Sequence, residues 1–162
     1  MMRPMHLLSP SPISLPFVYN RTMKLGKNQK VFLSYAWTGE DQSVVVKRMG
    51  AIIGVLQAQG MANYCNLNDS ETKTFTLPGQ YVKHALEKLK DCGALLAIVS
   101  SERRSQGQLM EIGAALYAGL PVCIAIHETA AGTGYLEDRS LSDHSFVWSS
   151  ENDLLQGIED LL

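Results

Sequence analysis

The strongest constraint on the fold is a pair of short, continuous apolar runs with a helical segment between them. The runs cover residues 94–99 and 122–126, and neither alternates polar with apolar side chains. A strand of this kind is covered on both faces, as in a parallel sheet. The segment between the runs opens with the capping-box pattern of Ser105 and Gln108 and ends in a glycine–proline stop. These residues therefore predict a β-α-β unit of a parallel sheet.

The same alternation of strand and helix patterns continues along the whole chain. Strands are predicted at residues 31–37, 62–67, 94–99, 122–126 and 146–148. Helical stripes of apolar residues follow most of them, and a last stripe ends the chain. The order predicts an α/β, flavodoxin-like three-layer sandwich with a five-stranded parallel sheet of order 2-1-3-4-5. Ligands of such sheets bind at the carboxyl ends of the strands, here where the order switches between strands 1 and 3.

Composition favours one globular domain and gives no sign of a nucleic-acid or membrane partner. The 162 residues are 46% hydrophobic and 19% charged, with a formal net charge of −2, so electrostatics give no reason to expect nucleic acid. No apolar run approaches the roughly 20 residues needed to span a membrane. The three cysteines are scattered and form no CxxC motif, which predicts reduced core residues of a cytoplasmic protein. The histidines show no metal-ligand spacing, and the chain has no P-loop and no GxGxxG motif, so neither a metal nor a cofactor is predicted.

The first 29 residues differ from the rest. Four of the six prolines fall there among serines, which predicts a poorly ordered tail before a single α/β domain at residues 30–162. Met23 is an alternative start, and the absence of acids before Glu40 leaves a transit peptide as an alternative interpretation. A second long polar segment, residues 127–145, is expected to be functional or mobile.

One carboxylate stands alone in the most apolar part of the chain. From residue 108 to residue 126, Glu111 is the only residue charged at pH 7. A helix that is apolar all round is normally buried. A buried carboxylate must be paired, protonated or kept for chemistry, because burying it unpaired is costly. The alternatives are that Glu111 reaches solvent or pairs with Arg103 or Arg104.

Residues at the predicted ends of strands 1 and 3 complete a candidate site around Glu111. Tyr35 offers a hydroxyl and an aromatic face as a second catalytic candidate. The substrate-binding candidates are Ser34, Trp37, Ser100, Arg103, Arg104, Ser105 and Gly107. The arginines either pair with a phosphate or stay solvated, the aromatic residues either stack on a base or pack, and the serines equally serve as caps. A lone carboxylate suits attack on an anomeric carbon or stabilisation of an oxocarbenium-like centre.

The segment Gly107-x-x-x-Glu111-Ile-Gly-x-Ala, with Gly-Leu-Pro-Val at 119–122, resembles the motif of nucleoside 2-deoxyribosyltransferases and related nucleotide N-glycosidases. The resemblance covers roughly residues 30–127. It implies that Glu111 is the nucleophile, that the strand-1 tyrosine Tyr35 assists it, and that the N-glycosidic bond of a nucleoside or nucleotide is cleaved by hydrolysis or base transfer. Such proteins often assemble so that a neighbour completes the site, which makes a homo-oligomer a candidate. The acid usual ahead of the glycine is replaced here by Ser105-Gln106.

The front of the domain is similar to a TIR domain. This similarity rests on Val-Phe-Leu-Ser-Tyr at 31–35, the following Glu40-Asp41 and the loop at 68–79. It implies two alternatives: an NAD hydrolase that uses Glu111, or a non-catalytic interaction module that uses the loop. The tryptophan common four residues before the glutamate in TIR domains is Gly107 here, which favours the transferase-like interpretation.

Overall fold

The computed structural model describes residues 25–26, 28–132 and 142–162. Within these residues the strands are β1 (Val31–Tyr35), β2 (Asn63–Tyr64), β3 (Ala94–Val99), β4 (Val122–His127) and β5 (His144–Trp148). The helices are α1 (Gln42–Ala58), α2 (Pro78–Leu89), α3 (Gln106–Tyr117) and α4 (Glu151–Leu161). Two 3₁₀ segments, Asn66–Asn68 and Ser70–Thr74, lie between β2 and α2.

The five strands form one parallel sheet with the order β2-β1-β3-β4-β5. The predicted flavodoxin-like architecture and strand order are therefore confirmed. Every residue of β3 is buried, which is why its sequence is apolar throughout. The strand order reverses at β1, whose neighbours are β2 and β3, and the crevice beside it is where this class of sheet places its ligand.

Helices cover both faces of the sheet and make two separate cores. Helices α1 and α4 pack together on one face, and α2 and α3 on the other. Along β1 the side chains alternate between the two cores, as the pleat of a strand requires. Leu33 belongs to the core under α1 and α4, and Phe32 to the core under α2 and α3. Ser34, two residues after Phe32, consequently faces α3.

The structure corrects several expectations about the elements. Strand β2 pairs over only two residues, and the chain after it winds into the 3₁₀ segments instead of extending to residue 67. The predicted loop at 68–79 is shorter than expected because α2 begins at Pro78, a residue well suited to a first helical turn. Strand β5 begins at His144 and not at residue 146.

Helix α3 is not buried all round, contrary to the expectation from its composition. Ile112 and Ala115 face the core, but Met110 is 50% exposed and Tyr117 is 96% exposed. One face of α3 packs on the core and the other is open, so its apolar composition predicts the burial of only one face.

The packed domain extends further towards the N-terminus than residue 30. Leu25 is buried, and its N–H donates to the carbonyl of Leu161 at 3.0 Å. Residues 1–24, which make up most of the predicted tail, and residues 133–141 of the long polar segment lie outside the described residues. The three cysteines are buried and free, as predicted. None of the described helices has the length and hydrophobicity that crossing a membrane requires.

Candidate active site

A cavity of about 990 Å³ opens at the carboxyl ends of β1 and β3, where the strand order reverses. Its walls come from the end of β1, the 3₁₀ region, the start of α2 and the start of α3. Among the described lining residues, Glu111 is the one acid, and the basic ones are Lys73, Arg103 and Arg104. Aromatic side chains contribute much of the remaining surface, namely Phe32, Tyr35, Trp37, Phe75 and Tyr81. The cavity therefore combines one carboxylate with an excess of positive charge.

Glu111 lies in the second turn of α3 and points towards β1. The Oγ of Ser34 donates a hydrogen bond to its Oε2 at 2.6 Å. Burial raises the pKa of Glu111 to about 7, and the hydrogen bond from Ser34 opposes that rise because it favours the ionised form. A carboxyl group with this pKa exists in both protonation states near neutrality, as groups that take part in chemistry often do.

Gln108 is a site residue that the sequence analysis missed. Its side chain is buried, and Nε2 donates to the carbonyl oxygens of Ser34 at 3.1 Å and Ile98 at 3.0 Å. The spacing of Ser105 and Gln108 predicts a capping box. Ser105 does accept from the Gln108 N–H at 3.3 Å, but the Gln108 amide turns inward to the sheet. The available signal was its position three residues before Glu111, on the same face of the helix.

The Tyr35 side chain lies on the other side of the sheet from the hydrogen bond between Ser34 and Glu111. By the alternation of β1 its ring packs against the core under α1 and α4, on the sheet face opposite to Ser34. Burial raises the pKa of the Tyr35 hydroxyl, the neighbouring Cys65 thiol adds to the rise, and Glu111 contributes less. Tyr35 still borders the cavity, as does Trp37, which is 37% exposed at the rim.

The loop before α3 and the first turn of α3 bring four predicted residues to the cavity: Arg103, Arg104, Ser105 and Gly107. The guanidinium of Arg103 lies against Gly39, where an added Cβ would come within 1.6 Å of Nη1. Gly39 also has a φ of +84°, which other residues rarely adopt, so a side chain there would be strained and would displace the Arg103 guanidinium. Ser101 Oγ donates to Glu40 Oε1 at 2.6 Å and joins this loop to the loop after β1.

No protein-family model and no curated protein sequence matches the chain. Among solved structures, the CMP N-glycosidase BcmB of Clostridium botulinum superposes with a TM-score of 0.64 at 23% identity, over 83% of this chain and 100% of that one. The chain has the fold of this N-glycosidase. The predicted resemblance is thereby confirmed at the level of the fold.

Two further solved structures are similar. A conserved protein from Enterococcus faecalis V583 gives a TM-score of 0.53 at 17% identity, over 83% of this chain and 99% of that one. A 2-deoxyribosyltransferase from Bacillus psychrosaccharolyticus gives a TM-score of 0.49 at 20% identity, over 78% of this chain and 90% of that one. The TIR-like interpretation stays a prediction.

Within this N-glycosidase-like fold, Ser100 lies away from the predicted cleft. It is absent from the cavity lining, and its Oγ accepts from Arg48 Nη1 at 3.0 Å. Arg48 also binds the carboxylate of Glu151, with Nη2 to Oε1 at 2.6 Å, and its guanidinium lies 4.8 Å from the ring centre of Trp148. Ser100 therefore helps to join α1 to α4, and its predicted role in substrate binding stays a prediction.

A cluster of possible metal ligands borders the 3₁₀ region. One ligand atom each from Asp69, Glu71 and His84 lies within 4.8 Å of the others. Lys88 Nζ lies 3.5 Å from Glu71 Oε2 and supplies positive charge there. Burial raises the pKa of Asp69, but hydrogen bonds from His84 and Tyr64 outweigh burial and hold it below the ordinary value. The contacts of Asp69 and Glu71 with His84 and Lys88 fasten the second 3₁₀ segment to α2.

Proposed function

We propose that the protein cleaves the N-glycosidic bond of a nucleoside or nucleotide and that Glu111 is the nucleophile. The observation that carries this proposal is Glu111 itself, a carboxylate with a pKa near 7 in a cavity otherwise lined by aromatic, apolar and basic residues. The similarity in fold to a CMP N-glycosidase supports the same chemistry.

The proposed reaction needs two displacements at the anomeric carbon. The ionised carboxylate of Glu111 attacks C1′, the C1′–N bond breaks, and the base leaves with the bonding electrons and takes up a proton. The sugar is then held as an ester of Glu111. Water or a second base attacks C1′ of that ester and returns the free carboxylate. Hydrolysis and base transfer differ only in this second nucleophile.

The charge of the cavity favours an anionic substrate. Lys73, Arg103 and Arg104 outnumber Glu111, and guanidinium groups bind phosphate through paired hydrogen bonds. Phe75 and Tyr81 form an edge-to-face pair with ring centres 5.2 Å apart, and Trp37 stands at the rim, so aromatic surfaces for a base are present. We therefore propose a nucleoside 5′-monophosphate as the preferred substrate.

A substrate panel tests this function. Purified protein is incubated with nucleosides, their 5′-monophosphates and NAD, and released base or nicotinamide is quantified by chromatography. We expect base release that is faster from a monophosphate than from the matching nucleoside and that is lost in Glu111→Gln. Nicotinamide release from NAD alone would replace the proposal with the TIR-like hydrolase. Release from no substrate would favour a non-catalytic interaction module, for which self-association that depends on residues 68–79 is the measurement.

A further inference from the structure

Buried polar side chains are rare in the described residues, and two of the four lie between the sheet and the helix that carries Glu111. The four are Ser34, Thr72, Gln108 and Ser142. Burying a polar group is unfavourable unless its hydrogen bonds are made, so such residues call for an explanation. Ser34 and Gln108 sit in the apolar layer between the sheet and α3, and both are hydrogen-bonded.

The two side chains link Glu111 to the strands at the point where the sheet order reverses. Gln108 Nε2 donates to carbonyls on both β1 and β3, those of Ser34 and Ile98. These strands are direct neighbours, with Ser34 in register with Ala97. Ser34 Oγ in turn donates to Glu111 Oε2. Gln108 and Glu111 lie on one face of the same helix, so the contacts form a closed ring from α3 through β1 and back to α3.

We propose that Gln108 is a positioning residue for the N-glycosidic cleavage, acting through Ser34 on Glu111. By holding the Ser34 carbonyl, the Gln108 amide fixes the backbone that aims the Ser34 hydroxyl at Oε2. Oε1 of Glu111 is then the oxygen left to meet the anomeric carbon. This inference rests on the proposed function, because it assigns Gln108 to the orientation of that nucleophile.

Gln108→Met tests the proposal, since methionine has nearly the same length and no N–H donors. We expect kcat to fall about 10- to 100-fold, the range that a misplacement of about 1 Å costs, while KM stays within about twofold. The acidic limb of the pH profile of kcat/KM should move to higher pH, because a loosened Ser34 no longer favours the ionised carboxylate. The other charged or titratable groups near Glu111, namely Tyr35, Tyr64, Lys73, Arg103 and Arg104, are untouched by the substitution.

A double-mutant cycle with Ser34→Ala separates positioning from a purely structural role. If Gln108 acts through Ser34, the double variant should be no more than about twofold slower than Ser34→Ala alone. If the losses of kcat in the two single variants multiply in the double variant, and the pH profile of Gln108→Met is unchanged, the proposal is overturned. Ile158→Val in α4, in the opposite core, is the stability-matched control and should leave kcat and the pH profile unchanged.

A second variant and the wild-type enzyme distinguish failure of the positioning proposal from failure of the proposed function. If Gln108→Met does not fold, Gln108→Asn keeps the amide on a shorter side chain that reaches at most one of the two carbonyls, and an intermediate loss of kcat is expected. Wild-type kcat and an unmoved acidic limb in Gln108→Asn would overturn the proposal. Absence of base release by the wild-type protein would instead overturn the proposed function itself.

Discussion

Replacing Glu111 by glutamine should make the protein more stable at alkaline pH. Burial raises the pKa of Glu111 to about 7 from an ordinary value of 4.5, so the folded state holds the ionised carboxylate at a disadvantage. Each pKa unit corresponds to about 1.4 kcal/mol, and the difference therefore amounts to about 3 kcal/mol above pH 7. Glutamine has the same shape and keeps an oxygen for the Ser34 hydroxyl, but its own amide is also desolvated. We expect a net gain of about 1–3 kcal/mol.

The pH dependence gives this prediction its sign. Between pH 4.5 and about 7 the folded wild-type protein binds more protons at Glu111 than the unfolded chain does, so this group lowers stability as pH rises. The advantage of Glu111→Gln should be absent below pH 4.5, grow up to about pH 7 and stay constant above it. For a chain of this size, each 1 kcal/mol corresponds to about 2–4 °C in Tm.

Urea denaturation of both proteins at pH 5 and pH 8 measures the effect. Glu159→Gln, which removes an exposed acid of α4, is the control and should show little change at either pH. A Glu111→Gln variant that is less stable than wild type at pH 8, or one whose advantage is the same at both pH values, would refute the account of a desolvated carboxylate.

Three further substitutions test separate parts of the structure. Ser34→Ala should shift the acidic limb of kcat/KM above its wild-type position near pH 7, since the hydroxyl lowers the pKa of Glu111, and a downward shift would contradict this. Gly39→Ala should raise KM for a 5′-monophosphate more than for its nucleoside, because the new methyl group displaces Arg103; equal effects on both substrates would argue against phosphate binding there. Gly157→Ala should cost about 1–3 kcal/mol in a urea titration, because its Cβ would lie 2.3 Å from Phe146 Cε2, and base release should be unchanged.

The sheet could be predicted because the apolar composition of its central strands reflects their burial on both faces. Strands β3 and β4 lie between two helical layers, and only a continuous apolar run satisfies both faces. The prediction carried strand β2 to residue 67, but the residues after Tyr64 wind into 3₁₀ turns. The exposed face of α3 could not be predicted, because composition does not show on which side a helix finds its partner.

The candidate site was only partly visible in the sequence. Glu111 stood out because an isolated charge in an apolar segment is costly unless the fold accommodates it. The strand alternation already predicts that Ser34 and Tyr35 lie on opposite faces of the sheet, since neighbouring residues of a strand point to opposite faces. Gln108 was hidden because its spacing from Ser105 matches a capping box, and its contacts with Ser34 and Ile98 are long-range.

The central claim is that Glu111 performs the bond cleavage, and the rate of base release by Glu111→Gln tests it most directly. The variant should be measured under single-turnover conditions beside wild type, with the 5′-monophosphate that wild type cleaves fastest, and with denaturation curves showing that it is folded. The account predicts a rate at least about 10³-fold below that of wild type, because the amide cannot replace the carboxylate as nucleophile. A folded Glu111→Gln protein that releases base within about tenfold of the wild-type rate would contradict it.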